Sequence, residues 1–207
     1  PKSFVRINGL TLIEWQLTQV IPARCHVKIV VGFRGEELAQ LATFLRPGVE
    51  VLFNHRWQST KTAGSLSVGV ANLTGRCVSL DGDLLVHPHD FEFFVDLQHD
   101  AIGVSDVNSV LPVFAQVSSK SNKLYCQALA YQPKTPFEWT GLVNFRAGSV
   151  PAHDGNVFEM VEPLLPCRAI SVRCVEVDTP EDLELARARW PEMLDQTLAL
   201  QEKRRAG

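Results

Sequence analysis

The chain has 207 residues, 45% of them hydrophobic and 21% charged, which supports one substantial core and excludes disordered, collagen-like and coiled-coil chains. Its 20 Lys and Arg against 23 Asp and Glu leave a net charge of −3, so nothing points to nucleic acid as a partner, and any nucleotide bound is expected to be a small molecule. Five cysteines (Cys25, Cys77, Cys126, Cys167, Cys174) form an odd set without CxxC spacing and suit free thiols in a reducing cytoplasm. No apolar run approaches the roughly 20 residues that span a bilayer, so the expectation is a cytoplasmic protein without a membrane partner.

The first half alternates strand-like and helix-like runs. Phe4 to Ile7 reads as a short strand, and Thr11 to Val20 carries Leu12, Trp15 and Gln19 on a helical period. Val27 to Val31 is a continuous β-branched run, the pattern of a strand covered on both faces. Gly35 to Leu45 is predicted helical, Val49 to Phe53 a strand, Gly64 to Leu73 a helix, and Val78 to Leu80 a strand ending at Asp81-Gly82-Asp83. Asp90 to Leu97 is predicted as a helix opened by a His87-Pro88-His89 loop, in which the histidines read as exposed or supporting groups. Repeated βα alternation predicts an α/β, Rossmann-like fold with a mixed, mostly parallel sheet and helices on both faces.

The second half reads as antiparallel additions to that sheet: Ile102 to Val107, Val113 to Val117, Leu124 to Leu129 and Leu142 to Arg146. Asn156 to Leu165 is expected to cover them as a helix, and Ala169 to Val177 to form a last strand. Thr179 then opens a final helix with Pro180 at its first position and Asp182 three residues after the cap. Gln201 to Gly207, with Lys203, Arg204 and Arg205, reads as a solvated polar tail. The whole of 1–207 is expected to be one domain.

Three clusters could carry chemistry. In Leu80-Asp81-Gly82-Asp83 two carboxylates and a glycine follow an apolar strand, and hard oxygen donors at a strand end suit Mg²⁺; the same triplet also suits a tight turn. In Glu176-Val177-Asp178-Thr179-Pro180 an acidic pair ends a strand where a capped helix starts, so it is either a second ligand or a helix start favoured by the macrodipole. Two strand-end aspartates in one α/β chain favour the metal. The third cluster, Asn54 to Leu66, is a polar loop leading into a helix, suited to phosphate, ribose and base or to simple capping.

With these residues in place, the chain resembles the nucleoside-triphosphate transferase family that includes sugar-phosphate nucleotidyltransferases and phosphocholine cytidylyltransferases. The resemblance covers nearly the whole length. It runs through Pro1-Lys2 with Val5 to Ile13, Val30-Val31-Gly32-Phe33, Asn54 to Leu66, Leu80 to Val86, Glu138-Trp139-Thr140-Gly141 and Val177 to Leu183. It implies that Lys2 contacts phosphate oxygens, that Asp83 and Asp178 hold a magnesium ion, and that Ser59, Thr60, Ala63, Gly64, Ser65 and Asp81 meet the nucleotide. Trp57, Glu138, Trp139 and Gly141 would face the acceptor. The family's glycine-rich loop and its arginine would lie ahead of Pro1, and since the chain starts without Met the expectation is that they precede the residues numbered here.

The implied reaction is attack by an acceptor phosphate oxygen on the α-phosphorus of a nucleoside triphosphate, releasing pyrophosphate. Positioning and charge neutralisation carry such a step. The acceptor is read as a sugar 1-phosphate or a phosphocholine-like compound, the latter from cation–π contact with Trp57, Phe137 and Trp139. Two rival readings are a metal-dependent glycosyltransferase of the same fold, with Asp81-Gly82-Asp83 holding the metal of a nucleotide sugar, and a non-catalytic nucleotide-binding relative.

Overall fold

A computed structural model describes the backbone of residues 1–205 and the side chains of residues 1–195. In chain order, a 3₁₀ turn Lys2–Phe4 leads to β1 (Arg6–Ile7), β2 (Leu10–Thr11) and α1 (Leu12–Trp15), which runs on as a π-helical turn Gln16–Val20. Then come β3 (Lys28–Val31), α2 (Gly35–Leu45), β4 (Glu50–Phe53), α3 (Trp57–Val70), β5 (Arg76–Ser79), β6 (Leu84–Val86) and α4 (Pro88–Val95). The second half holds β7 (Ala101–Asp106), β8 (Phe114–Lys120), β9 (Lys123–Ala130), β10 (Phe137–Arg146), α5 (Val157–Val161), β11 (Cys167–Ser171), β12 (Cys174–Glu176) and α6 (Pro180–Arg205). The reading of Lys203, Arg204 and Arg205 as solvated lies outside the residues whose side chains are described.

The expected α/β architecture is present. Six strands form a mixed sheet in the order β5-β10-β7-β11-β9-β8, and β3-β4, β6-β12 and β1-β2 pair separately. Parallel pairing is confined to β3 with β4 and β7 with β11, and the remaining ladders are antiparallel. The balance tips that way because the strands of the second half return through short connections. Between β8 and β9, Ser121 and Asn122 take φ of 51° and 57°, the two left-handed residues of a tight hairpin turn.

Helices cover both faces. On one, Leu12 of α1, Phe91 and Phe94 of α4 and Trp190 of α6 pack around Leu84, Leu85 and Leu142. On the other, Ala63 of α3 and Val157 and Met160 of α5 pack on Ile102, Val143 and Phe145. A third cluster joins Ile13 and Leu17 to Val31 of β3 and Leu38 and Ala42 of α2.

Local signals explain the element ends. Thr11 and Glu14 form a reciprocal capping box that starts α1. Arg46 closes the following π turn by donating to the carbonyls of Ile21, Pro22 and Cys25. Two expectations are corrected. The helix expected from Gly64 begins at Trp57, and Lys61, at φ 52° and ψ −153°, interrupts it. The single strand expected over Ala169 to Val177 is two strands, because Arg173 turns out of line to pair with Asp90 and donates to both its carboxylate oxygens at 2.6 and 2.9 Å. β11 stays in the large sheet, and β12 crosses to β6.

Candidate active site

Asp83 enters β6 and Asp178 leaves β12, and the antiparallel register of these strands brings the two together. Glu176 lies opposite Leu84, and one step further Val177 donates its N–H to the Asp83 carbonyl at 3.1 Å. The two aspartates therefore meet at the end of a two-stranded ribbon, not at the shared edge of parallel strands. That ribbon was hidden in the sequence, since Leu84–Val86 is only three residues long and the β11–β12 break was not apparent.

Lys2 completes the cluster from the start of the chain. Its ammonium lies 3.2 Å from Asp83 Oδ2 and is hydrogen-bonded to Asp178 Oδ1. Partial desolvation pulls its pKa down, but the hydrogen bonds and charges of Asp178 and Asp83 outweigh that and raise it. Asp81 and Glu176 flank the pair. Burial pushes the Asp81 carboxyl up to about 7, with Asp83 and Asp178 adding to the effect and Lys2 opposing it. Burial, then Asp178, Asp83, Asp81 and Glu138, pushes Glu176 up to about 8. Crowded carboxylates with raised pKa mark a place that favours a cation.

Gln16 fixes the Asp81-Gly82-Asp83 turn. Its buried amide donates to the carbonyls of Asp81 at 2.7 Å and Leu84 at 2.8 Å, so one side chain holds both ends of the turn. Sequence reasoning missed it; a polar residue on the apolar stretch Leu12 to Val20 was the available signal. Thr179 and Asp182 organise the other side, as Thr179 Oγ1 accepts from the Asp182 N–H at 3.2 Å and Asp182 Oδ2 accepts from those of Thr179 and Asp178. Asp178 is thus held just ahead of α6, its N–H tied to Asp182 in the first turn.

Gly141 lies at the register break of β10 with φ +84°, and a Cβ there would stand 2.5 Å from Asp81 Oδ2. Its lack of a side chain makes room for the Asp81 carboxylate. Glu138, earlier on β10, lines a pocket of about 160 Å³ shared with Ser109, Thr140, Glu176 and Asp178. It accepts from the backbone N–H groups of Asn108 at 3.0 Å and Ser109 at 3.1 Å, and so holds the loop after β7 against the aspartate cluster.

The remaining expected residues are placed as follows. Ser59, Thr60, Ala63, Gly64 and Ser65 surround the Lys61 break in α3. Asn54 donates to Thr60 Oγ1 and Ser65 Oγ, both at 3.0 Å. Ala63 and Gly64 are buried, and Ser65 lines a larger cavity that also reaches Asp81 and Gly82. Trp57 packs on Phe33, with ring centroids 5.8 Å apart, and Trp139 donates its indole N–H to the Leu142 carbonyl. Neither Trp57 nor Trp139 lines the Glu138 pocket. His87 caps α4 by accepting from the His89 N–H, and His89 is exposed.

No family model matches the sequence, and no curated protein matches it significantly. Solved structures do match the fold. An apo UDP-glucose pyrophosphorylase superposes with a TM-score of 0.71 over 93% of this chain and 90% of its own, at 10% identity. CTP:phosphocholine cytidylyltransferase from Streptococcus pneumoniae also gives 0.71, over 92% and 90%, at 18% identity. The chain has the nucleotidyltransferase fold. The inositol-1-phosphate CTP transferase from T. maritima shares it too, with a TM-score of 0.65 over 94% of this chain and 86% of its own at 17% identity. Within this nucleotidyltransferase fold, the Lys2, Asp83 and Asp178 cluster lies beside the pocket lined by Glu138.

Proposed function

We propose that the chain is a single-domain nucleotidyltransferase that moves a nucleoside monophosphate from a nucleoside triphosphate to a small phosphorylated acceptor and releases pyrophosphate. The observation that carries this reading is the convergence of Asp83 and Asp178 on one cation, the Lys2 ammonium, beside a pocket. Similarity of fold to pyrophosphorylases and cytidylyltransferases supports it.

The donor set fits magnesium. Mg²⁺ takes one or two carboxylates and fills its other positions with water and phosphate oxygens, and Asp83 and Asp178 already approach one positive charge from two sides. Among the described residues no group of three or more His, Cys, Asp or Glu forms a closed metal cage, which a two-carboxylate site does not need. Asp83 and Asp178 would hold the ion, which when bound would neutralise phosphate charge. Lys2 would then turn its ammonium to the phosphate oxygens. Ser65, and Thr60 at the Lys61 break, would face the nucleotide. An ionised acceptor phosphate needs no general base, so positioning by the Glu138 pocket would carry the remaining work.

A sugar 1-phosphate or an amine phosphate such as phosphocholine fits this reading. A reducing cytoplasm suits the five cysteines, all unpaired. No described helix is long and apolar enough to cross a membrane. The test is pyrophosphate release with Mg²⁺, each of the four nucleoside triphosphates, and a panel of sugar 1-phosphates plus phosphocholine. Release requiring one triphosphate and one acceptor is expected. Stabilisation by a nucleotide sugar, without pyrophosphate release from any triphosphate, would replace this reading with the glycosyltransferase.

A further inference from the structure

In the β8–β9 hairpin, Lys120 stands directly opposite Lys123. Like charges so placed repel, and among the described residues neither ammonium has a carboxylate partner. Alternation puts Tyr125 on the same face of β9 as Lys123, and Arg168 of β11 pairs in register with Tyr125. The Arg168 guanidinium lies over the Tyr125 ring, 5.5 Å from its centroid. Its Nε is buried without a hydrogen-bond partner, and among the described residues no carboxylate reaches the guanidinium. A buried donor left unmatched is costly.

His99, just ahead of β7, joins the group. Burial, then the charges of Arg168, Arg76 and Lys123, holds its imidazole below the usual range, with Asp100 opposing. Asp100 is itself engaged by Arg76 at 2.7 Å, so it does not neutralise the rest. Cations that repel one another and a buried N–H with nothing to bond share one remedy, an oxyanion. A phosphate group offers several acceptor oxygens to a guanidinium whose plane the tyrosine ring already fixes, and it carries enough charge for two ammonium groups. The net charge of −3 and the small extent of the cluster, one hairpin end and two strand starts, argue against a nucleic-acid backbone.

We propose that Arg168, Lys123, Lys120 and His99 form a binding site for a small phosphate-bearing ligand, separate from the aspartate cluster. Arg168 donates from Nε and a terminal nitrogen, the two lysines neutralise the charge, and His99 adds a donor at the rim. Arg168 is paired with Ala101 at the start of β7, whereas Ser105 near the end of that strand lines the Glu138 pocket. Four residues of strand, about 13 Å at 3.3 Å each, thus separate the two places. The proposal does not depend on the reaction assigned to the aspartate site.

The test is titration of the 207-residue chain with inorganic phosphate and, separately, with glycerol 3-phosphate, following the Arg168 Nε–H signal by ¹⁵N NMR. The signal is assigned by its loss in Arg168→Lys. It should shift and saturate with at least one of the two probes, the tighter one showing whether the site prefers a free or an esterified phosphate, and sodium chloride at matched ionic strength should not reproduce the shift. Arg168→Lys should weaken binding, read by calorimetry, about tenfold or more, the scale of losing a bidentate contact. Lys123→Gln, an exposed change, should weaken it several-fold and keeps the test available if the arginine variant does not fold. Binding should persist in Lys2→Ala, since a phosphate held at the aspartate cluster would be lost there. A shift that never saturates, an equal shift with chloride, unchanged affinity in Lys123→Gln, loss of the response in Lys2→Ala, or tighter binding of an RNA oligonucleotide than of either phosphate would overturn the proposal.

Discussion

Val177 donates its backbone N–H to the carbonyl of Asp83 across 3.1 Å, and this bond sets the spacing of the two carboxylates at the site. Because backbone holds them, either carboxylate can be changed without moving the other. Both Asp83 and Asp178 contact Lys2 in a partly exposed setting, where ion pairs contribute about 0–1 kcal/mol.

Asp83→Asn and Asp178→Asn should therefore each lower pyrophosphate release by about a hundredfold or more, the scale of losing one preorganised electrostatic contact in a transition state. Their melting temperatures should stay within about 4 °C of the parent. Lys2→Ala should reduce kcat with a similarly small thermal shift. Parallel assays of turnover and melting separate the outcomes, and full turnover in both aspartate variants would remove the ion site.

Gln16→Leu should behave differently. It leaves the carbonyls of Asp81 and Leu84 without their shared donor in a buried setting, and should cost about 1–3 kcal/mol of stability. Turnover should fall as well, since the Asp81-Gly82-Asp83 turn loosens. Denaturant unfolding gives the first quantity and the pyrophosphate assay the second.

Gly141→Ala forces a side chain into a left-handed conformation and against Asp81 Oδ2, and should destabilise by about 1–3 kcal/mol. Adding Asp81→Ala should recover part of that loss by removing the close contact while leaving the backbone strain. Unfolding of the two single variants and the double variant measures the coupling. Strict additivity would show that Gly141 is required for its backbone alone.

Burial pushes the His87 imidazole down to about 4, with the Arg173 guanidinium and His89 acting in the same direction and Asp90 opposing. A base with a folded pKa below its unfolded value of about 6.5 stabilises the fold fully above that value. The contribution is lost as pH falls from about 6.5 towards 4, because the unfolded chain takes up the proton first. The loss should be at most about 3 kcal/mol. His87→Ser keeps an N-cap for α4 without a titrating ring, and its melting temperature should fall less steeply between pH 7.5 and 4.5.

Much of this was legible in the sequence. Gly35–Leu45 was bounded correctly by its helical period, and the unbroken β-branched run marked β3. The Asp81-Gly82-Asp83 and Asp178-Thr179-Pro180 segments pointed to carboxylates that the structure brings together with Lys2. What periodicity could not show was pairing. β6 is three residues long, and the break at Arg173 depends on an ion pair with Asp90, distant in the chain. The surroundings of the aromatic residues were hidden for a related reason: only the fold shows that Trp57 packs on Phe33 and that the Trp139 indole bonds the Leu142 carbonyl.

The β6–β12 ribbon has one more consequence, for the order in which the molecule comes into being. One strand of the ribbon follows β5, and the other lies beyond all the strands of the large sheet. As the chain is synthesised, most of the sheet can form while Asp83 still waits for its counterpart, since pairings distant in sequence are late events. The pairing of Asp83 with Asp178 is thus among the last features to mature, and binding of the proposed divalent ion during refolding would serve as a clock for the final docking step.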